Sequence, residues 1–480
     1  MLSVAINFGI QFIWFAVLST IVYNLFIVVT CFRQVKFYWK ENSIFLPCLP
    51  FLGHIYIGML TGRKVNFQGT INLVKTYFGL PITAWFGHNL YYLSDIAEEI
   101  RIISSHPKCY NKAQIYDKMQ CVFNNTLLLL EAEKWKPRRR LLRSAFKSNM
   151  LESFMPTVYQ QSWNLIEQIK LLDPNDNLFC FFNKYAFRIF FMTSTGLCED
   201  DITVPEFEAL GEMSYRLQDD FLKMLINPVL PAYIWLKTPL SSKFRKLWKE
   251  MEDIVNKILL HKKHRRAAEY VDDPSEAPLF DILLSDEFEK ESESDVYHEI
   301  MLFGGAQRVY EEVMAVVDDR HIDISNIKNL KYTEAVISEG MRLFPVVPFF
   351  ARYCSEDINL GTKIIPKGTN FASCVFYVHR NPEYWKDPMN FDPSRFFPEN
   401  ISKIVPGSYI PFSFGPRNCI GQGVAMMSLK VTVANVIRNF EITSNHKSFD
   451  EFILESCISM KTENHLDCIF TPRIKNAHRI

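Results

Sequence analysis

A chain of 480 residues, 48% hydrophobic and 14% aromatic, can bury one large core, and no linker or repeat divides it. Its 53 basic and 53 acidic side chains give a formal net charge of +0, which excludes a protein that binds nucleic acid through bulk charge. The 11 cysteines are scattered singly, without CxxC or paired spacing, which argues against a disulfide framework or a zinc site and favours a reducing compartment.

The N-terminus predicts a membrane anchor. Residues 1–32 carry no charged side chain, and a helix of this length can span the hydrocarbon core of a bilayer. No small-residue cleavage site closes the run, which favours a retained anchor over a signal peptide, and a buried core helix is the alternative. Because Arg33, Lys36 and Lys40 follow at once, the positive-inside rule predicts that the rest of the chain faces the cytosol.

Two short charged patterns farther along the chain have ordinary explanations when each is taken alone. Trp135 and Arg139 lie four residues apart in a basic stretch, which is compatible with a solvated helical face. The segment Lys331–Leu343 predicts a helix, with Glu339 and Arg342 three residues apart on one face. Such a pair is usually a solvated ion pair that contributes little to stability.

The most specific pattern is FSFGPRNCIG, which begins at Phe412 and is followed by an apolar helix. A cysteine ligand to haem iron needs this setting, because backbone N–H groups at a helix N-terminus stabilise the thiolate. Gly415 and Gly421 let the backbone turn tightly and approach a flat macrocycle, Phe412 can pack on that ring, and Arg417 can pair with a propionate. The pattern predicts a haem-thiolate centre at Cys419, and a buried structural cysteine is the alternative.

With this pattern the chain resembles the haem-thiolate monooxygenases of the cytochrome P-450 superfamily, from about residue 45 to about 472. The resemblance implies a mainly α fold, a large helical prism with small β-sheets, preceded by an N-terminal transmembrane helix. It divides the chain into an anchor at 1–32, a basic and proline-containing linker at 33–53, and a haem-thiolate catalytic domain at 54–480.

The family's motifs also imply roles for individual residues. Glu339 and Arg342 are similar to its ExxR pair, which is buried behind the haem and joined by a second arginine, here Arg395. We therefore expect these three to stabilise the fold and not to act in catalysis. The residues that the resemblance implies for binding haem b are Cys419 as the axial iron ligand, Trp135 and Arg139 of the WxxxR motif, Arg352, Arg417, Phe412, Gly415 and Gly421.

The family pattern breaks after Ala306. Residues 295–306 predict the start of the long distal helix, in which the family has an acid and a threonine that deliver protons during dioxygen activation. Here Gln307 and Arg308 follow, and neither serves, because glutamine does not titrate and arginine stays protonated. By comparison with the family, roughly 30 residues, or about 45 Å of helix, are absent. We therefore assign no catalytic acid–threonine pair and expect a distal helix truncated near Ala306.

The favoured interpretation is a monooxygenase anchored in the endoplasmic reticulum membrane, with its catalytic domain in the cytosol. It would insert one oxygen atom from O₂ into an apolar substrate, lipid-like or xenobiotic, using electrons from NADPH through a flavoprotein reductase. Two alternatives stay open. One is an enzyme of the same fold that rearranges peroxides, and the other is a haem-binding or inert membrane protein that lost catalysis with the missing segment. No nucleic-acid partner is expected.

Overall fold

The computed structural model describes residues 2–43, 75–86, 89–120, 126–173, 178–195, 209–211, 213, 236–266, 327–328, 330–444, 454–456, 460–462 and 468–472. Its helices are α1 (Leu2–Thr30), α2 (Phe32–Lys40), α3 (Ala97–Ser105), α4 (Ala132–Leu142), α5 (Ser148–Ile169), α6 (Leu178–Thr195), α7 (Ser242–Arg266), α8 (Lys331–Leu343), α9 (Val375–Val378), α10 (Pro398–Ile401) and α11 (Gln422–Asn439). Its strands are β1 (Ile82–Phe86), β2 (Asn89–Ser94), β3 (Phe350–Tyr353), β4 (Ile358–Asn359), β5 (Ile364–Ile365), β6 (Asn370–Ser373), β7 (Phe440–Ser444), β8 (Leu454–Ser456), β9 (Met460–Thr462) and β10 (Cys468–Pro472). The fold is mainly α with small sheets, as predicted, and the helix predicted over Lys331–Leu343 has those bounds.

The apolar core lies on both sides of α6. Phe182 and Ile189 pack in a cluster with side chains of α5 and α11, whereas Phe187 and Phe191 pack in a second cluster with side chains of α4 and α7. A helix that is apolar around most of its circumference is stable only when it is buried on several sides. Each buried phenylalanine contributes about 1.5–3 kcal/mol through the hydrophobic effect. The two clusters hold α4, which carries Trp135 and Arg139, and α11, which directly follows the loop of Cys419 and Gly421.

A four-stranded sheet, in the order β1-β2-β6-β3, forms a second layer. Strands β2 and β6 are parallel, and the other neighbouring pairs are antiparallel. Arg352 on β3 lies opposite Phe371 of β6, and an isolated bridge pairs Arg352 with Lys112. The sheet therefore brings two cations that are 240 positions apart in the sequence to adjoining backbone positions.

The N-terminal helices form a bent pair. Among the described residues no single helix has the length and hydropathy of a membrane span, but Val17–Thr30 and Phe32–Lys40, bent by 101°, have them together. Ile27 of α1 and Phe37 of α2 are buried in the same core cluster as Tyr92 of β2. The predicted linker at 33–53 is thus, over its described part, mostly a helix that packs on the domain.

A buried ion pair lies behind the predicted ligand loop. The Nε and Nη2 groups of Arg342 donate to the two carboxylate oxygens of Glu339, at 2.7 and 2.8 Å, and both side chains are 0% exposed. Glu339 also accepts the backbone N–H of Asp392 at 2.8 Å, and the Nε of Arg395 lies 3.4 Å from its Oε1. The predicted trio therefore assembles as two tightly bonded members and a more distant third, Arg395, whose Nη2 donates to the carbonyl of Asp387.

His379 connects this ion pair to the chain that enters the ligand loop. Arg342 donates through Nη1 to the carbonyl of His379 at 2.7 Å, and the Nε2 atom of His379 accepts the backbone N–H of Ile410 at 2.8 Å. Its Nδ1 lies 3.2 Å from the carbonyl of Arg342, so the neutral ring donates there. Burial, with Arg380 and Arg342 nearby, lowers the pKa of His379 to about 3, which keeps the ring in this bonded neutral form.

We predict that Glu339→Ala yields little soluble, haem-loaded protein. Removing the carboxylate leaves Arg342 buried without its counter-charge, at a cost of about 3–5 kcal/mol, against a total domain stability of about 5–15 kcal/mol. Soluble yield, haem content and thermal unfolding temperature measure the effect.

The matched control is Glu98→Ala on α3, which removes an ion pair of the same spacing and the same two-bond geometry from the surface. The side chains of Arg101 and Glu98 are 43% and 59% exposed, so we expect little loss of stability. Equal haem content and equal unfolding temperatures for the two variants would contradict the buried-pair prediction.

Candidate active site

Cys419 lies in a loop shaped by its own backbone. Its N–H donates to the carbonyl of Phe412 at 2.9 Å, and the N–H of Asn418 donates to the carbonyl of Gly415 at 3.0 Å. Helix α11 begins three residues later with Gly421 as its N-cap. Burial raises the pKa of the Cys419 thiol, while the N–H of Gly421, which donates to the sulfur, lowers it, as does the positive charge of Arg139. The loop therefore supplies the backbone donor that a thiolate ligand requires.

The two glycines of the loop differ in backbone conformation and in the space that a side chain would have. Gly415 has φ +73°, and an added Cβ would lie 2.2 Å from the carbonyl oxygen of Ser104 on α3. Gly421 has φ −85°, which any residue adopts, and an added Cβ would lie 3.8 Å from the ring of Phe146. Only Gly415 is in the left-handed region that favours glycine, and the predicted approach of both glycines to a haem ring stays a prediction.

Three cations meet beside the loop. Arg352, 1% exposed, donates through Nη2 to the hydroxyl of Ser413 at 3.2 Å, and the guanidinium of Arg417 lies 4.4 Å from the ring centre of Trp135. Burial, then repulsion from Arg352 and Arg139, lowers the pKa of Arg417 to about 9. Burial and the charges of Arg352 and Arg417 also hold the pKa of Lys112 well below its ordinary value. The sequence had indicated Arg352, Arg417 and Trp135 but not Lys112.

The cation cluster (Lys112, Arg352 and Arg417) fits a group that carries two carboxylates. Within the described residues no acidic side chain forms an ion pair with any of the three, and the buried Nε atoms of Arg352 and Arg417 have no hydrogen-bond partner. The Nη groups of both arginines donate to neutral oxygens, those of Arg417 to the backbone carbonyls of Leu127 and Leu130, so their charges are solvated but not neutralised. A buried charge without a counter-charge costs free energy, which an anion bound here would reduce. The two propionates of haem b supply that anion chemistry.

The remaining predicted residues lie on other parts of the same site. Arg139 donates to the backbone carbonyl and side-chain oxygen of Asn418, at 2.8 and 2.9 Å, and so braces the ligand loop. Phe412 packs against apolar side chains of α8 and α11, including Ile337 and Leu429. The propionate role of Arg139 and the contact of Phe412 with the ring stay predictions.

Comparison with known proteins decides the family. The sequence model of the Cytochrome P450 family matches residues 47–303 and 305–468. The chain belongs to the cytochrome P450 family. It is 28% identical over 452 residues to Cytochrome P450 4c21 of Blattella germanica, covering 85% of this chain and 89% of that protein. It is 29% identical over 440 residues to Cytochrome P450 4V2 of Rattus norvegicus, with 83% of each chain covered. As a cytochrome P450 it is a haem-thiolate monooxygenase, an oxidoreductase, as the resemblance implied.

The predicted break of the P450 distal helix lies outside the described residues, which resume at 327. Residues 295–308 are therefore known from the sequence alone. The family match is in two blocks that are separated by Gly304, which lies two residues before the predicted break.

Lys112 is the site residue that sequence reasoning missed. A single lysine in a polar loop carries no local pattern, and its place in the P450 site follows from the bridge to Arg352. His379 likewise carries no local pattern of its own, and its role follows from the bonds to Arg342 and Ile410.

We predict that Gly415→Ala strongly reduces the amount of correctly ligated haem. An alanine at φ +73° costs about 1–2 kcal/mol in conformation alone, and its Cβ collides with the backbone carbonyl of Ser104, which cannot rotate away. The carbon monoxide difference spectrum, normalised to total protein, measures the loss.

Gly421→Ala is the matched control in the same loop, since its Cβ makes contacts of 3.8 and 4.0 Å only. We expect it to keep most of the signal. If both alanine variants bind the same amount of haem, the geometric argument for Gly415 is wrong.

Proposed function

We propose that Cys419 is the axial ligand of haem b and that the cation cluster holds the two propionates. The observation that carries the proposal is the position of two buried arginines, Arg352 and Arg417, with the half-buried Lys112, beside a cysteine loop whose sulfur accepts a backbone N–H. When bound, haem supplies the redox chemistry by which the family activates dioxygen.

The protein contributes orientation and electrostatics. The N–H of Gly421 and the N-terminus of α11 stabilise negative charge on the sulfur of Cys419. Arg139 fixes Asn418, the residue before the ligand, through two hydrogen bonds. Lys112, Arg352 and Arg417 would neutralise the carboxylates, which would also relieve the repulsion among these three cations. The residues of the site thus complement the negative charge of the sulfur and of the two carboxylates.

We further propose that the substrate is apolar and that electrons arrive from NADPH through a flavoprotein reductase. The 40 phenylalanines support an apolar substrate cavity. Four basic side chains on or next to α4 are exposed, namely Lys134, Lys136, Arg140 and Arg143. Because α4 also carries Trp135 and Arg139, this face would bring an acidic redox partner close to the haem.

The proposed location is the endoplasmic reticulum membrane, with the domain in the cytosol. Large apolar side chains of α1 are exposed between Trp14 and Val29, including Phe15, Ile21 and Phe26, as expected for contact with lipid. The basic residues Arg33, Lys36 and Lys40 follow α1, which supports the cytosolic orientation. The division into an anchor and a catalytic domain rests on the same features.

We predict that Cys419→Ala abolishes the absorption band that thiolate-ligated haem gives in the reduced state with carbon monoxide. The substitution removes the only sulfur that the ligand loop at 412–421 offers. Cys374→Ala, at another buried cysteine of the domain, should keep the band. Persistence of the band in the Cys419 variant would show that the axial ligand has been misassigned.

We predict that the chain consumes NADPH with reductase present but forms little oxygenated product. Without the acid and threonine that should follow Ala306, proton delivery is undirected, and reduced oxygen is released as superoxide or peroxide. Inserting the corresponding distal segment of Cytochrome P450 4c21 after Ala306 should restore coupling.

The ratio of product formed to NADPH consumed, for both versions, is the measurement. Tight coupling in the original chain would mean that another group delivers protons. No NADPH consumption by either version would instead support the peroxide-rearranging or inert alternatives.

A further inference from the structure

Two buried cysteines face each other between the segments that carry Lys112 and Arg352. The Sγ atoms of Cys109 and Cys354 lie 3.8 Å apart, and both residues are 0% exposed. Both belong to the same apolar cluster, and a buried free cysteine usually acts as a small apolar side chain. Direct contact between two thiols adds a chemistry that packing alone does not need, because neighbouring sulfurs can be oxidised to a disulfide.

Backbone hydrogen bonds hold the two segments together on either side of the thiols. The N–H of Tyr353 donates to the carbonyl of Asn111 at 3.0 Å, and the N–H of Ser355 donates to the carbonyl of Lys108 at 3.1 Å. The two cysteines lie between these bonds, one on each of two antiparallel segments. Residues that face each other in such an arrangement have Cα atoms about 4.5–5.5 Å apart, within the range of about 4.4–6.8 Å that a disulfide spans. A disulfide therefore fits here with little movement of either segment.

The surroundings of the two thiols assign them different roles. Burial lowers the pKa of Arg352, whereas the charged forms of Tyr116 and Cys109 raise it, so a negative charge on Cys109 has a cation nearby. The hydrogen bond with Cys109, and then burial, holds the pKa of Cys354 well above its ordinary value. Because the thiolate is the nucleophile, Cys109 is the member that attacks an oxidant, and Cys354 is the member that closes the disulfide.

We propose that Cys109 and Cys354 form a modification site at which hydrogen peroxide converts the thiol pair to a disulfide. The thiolate of Cys109 attacks one peroxide oxygen, the O–O bond breaks, and a sulfenic acid and hydroxide form. The sulfur of Cys354 then attacks the sulfur of Cys109, and its proton leaves with the sulfenic oxygen as water. Two thiols and one peroxide thus give one disulfide and two waters, with two electrons passing from sulfur to oxygen.

The disulfide would join the two segments that supply part of the cation cluster. Cys109 precedes Lys112 by three positions, and Cys354 follows Arg352 by two. A covalent bond between the segments limits their separation, so haem held by these cations should leave the protein more slowly. This consequence rests on the proposed propionate site, and uncoupled turnover would be one source of peroxide, but the thiol chemistry itself depends on neither.

The test treats the full-length, haem-containing protein with hydrogen peroxide, stops the reaction with catalase, and maps the cysteines by mass spectrometry without reduction. Trypsin places the two cysteines in separate peptides, 109–112 and 353–363, because lysine or arginine precedes and ends each. We expect a linked pair of these peptides that has lost two hydrogen atoms and that dithiothreitol separates. Cys374, another buried cysteine, is the internal control and should stay a free thiol.

Single substitutions test the two roles. In Cys354→Ser, Cys109 should be oxidised to sulfenic and then sulfinic acid, because no second thiol closes the disulfide. In Cys109→Ser, Cys354 should stay reduced at the same peroxide concentration. Oxidation of Cys354 in that variant as fast as oxidation of Cys109 in the other would overturn the assignment of Cys109 as the attacking thiol.

The effect on haem is measured by its transfer to apomyoglobin after oxidation with diamide, which links thiols without peroxide. Transfer from the oxidised protein should be slower than from the reduced protein, and Cys354→Ser should show no difference between the two treatments. Linked peptides with an unchanged transfer rate would overturn the effect on haem alone. If peroxide leaves both thiols free, or oxidises Cys109 without linking it to Cys354, the modification site is overturned, whether or not haem is held as proposed.

Discussion

The buried ion pair between Glu339 and Arg342 is the interaction on which the rest of the structure depends. Taking both charges out of water costs several kcal/mol per ion, and only nearly complete hydrogen bonding offsets that cost. Their bonding partners, the backbone groups of Asp392 and His379, come from separate segments, and His379 holds Ile410 in turn. Satisfying one pair of charges therefore fixes several chain segments at once and sets the position of the ligand loop.

The same physics supports the proposal that the cation cluster is a binding site. At Glu339 and Arg342 each charge has its counterpart within the chain, so that region is structural. Arg352 and Arg417 are also buried, but among the described residues neither they nor Lys112 pair with an acidic side chain. A fold tolerates an unbalanced buried charge where a ligand balances it, and a group with two carboxylates would do so here.

The N-terminal helices show how packing can join what sequence patterns separate. Ile27 of α1 and Phe37 of α2 are buried in one cluster with Tyr92 of the sheet, and Glu41 shares Lys363 with Glu99. Because α1 and the sheet share a core, they cannot reorient independently. The packing therefore fixes the orientation of α1 relative to the sheet that carries Arg352.

Local pattern determined the mainly α class, the bounds of helix Lys331–Leu343, the assembly of Glu339 with Arg342, and the family, because periodicity and a dense motif need no distant contacts. Only tertiary structure decided which sequence features act together. Lys112 joins the cluster through a bridge across 240 positions, and Arg139 meets Asn418 across 279. Gly415 needs its glycine because α3 lies against it, and Gly421, in the same motif, does not. The physical reason is that burial, pairing and steric contact are properties of the space around a residue, and most of that space is filled by chain from elsewhere in the sequence.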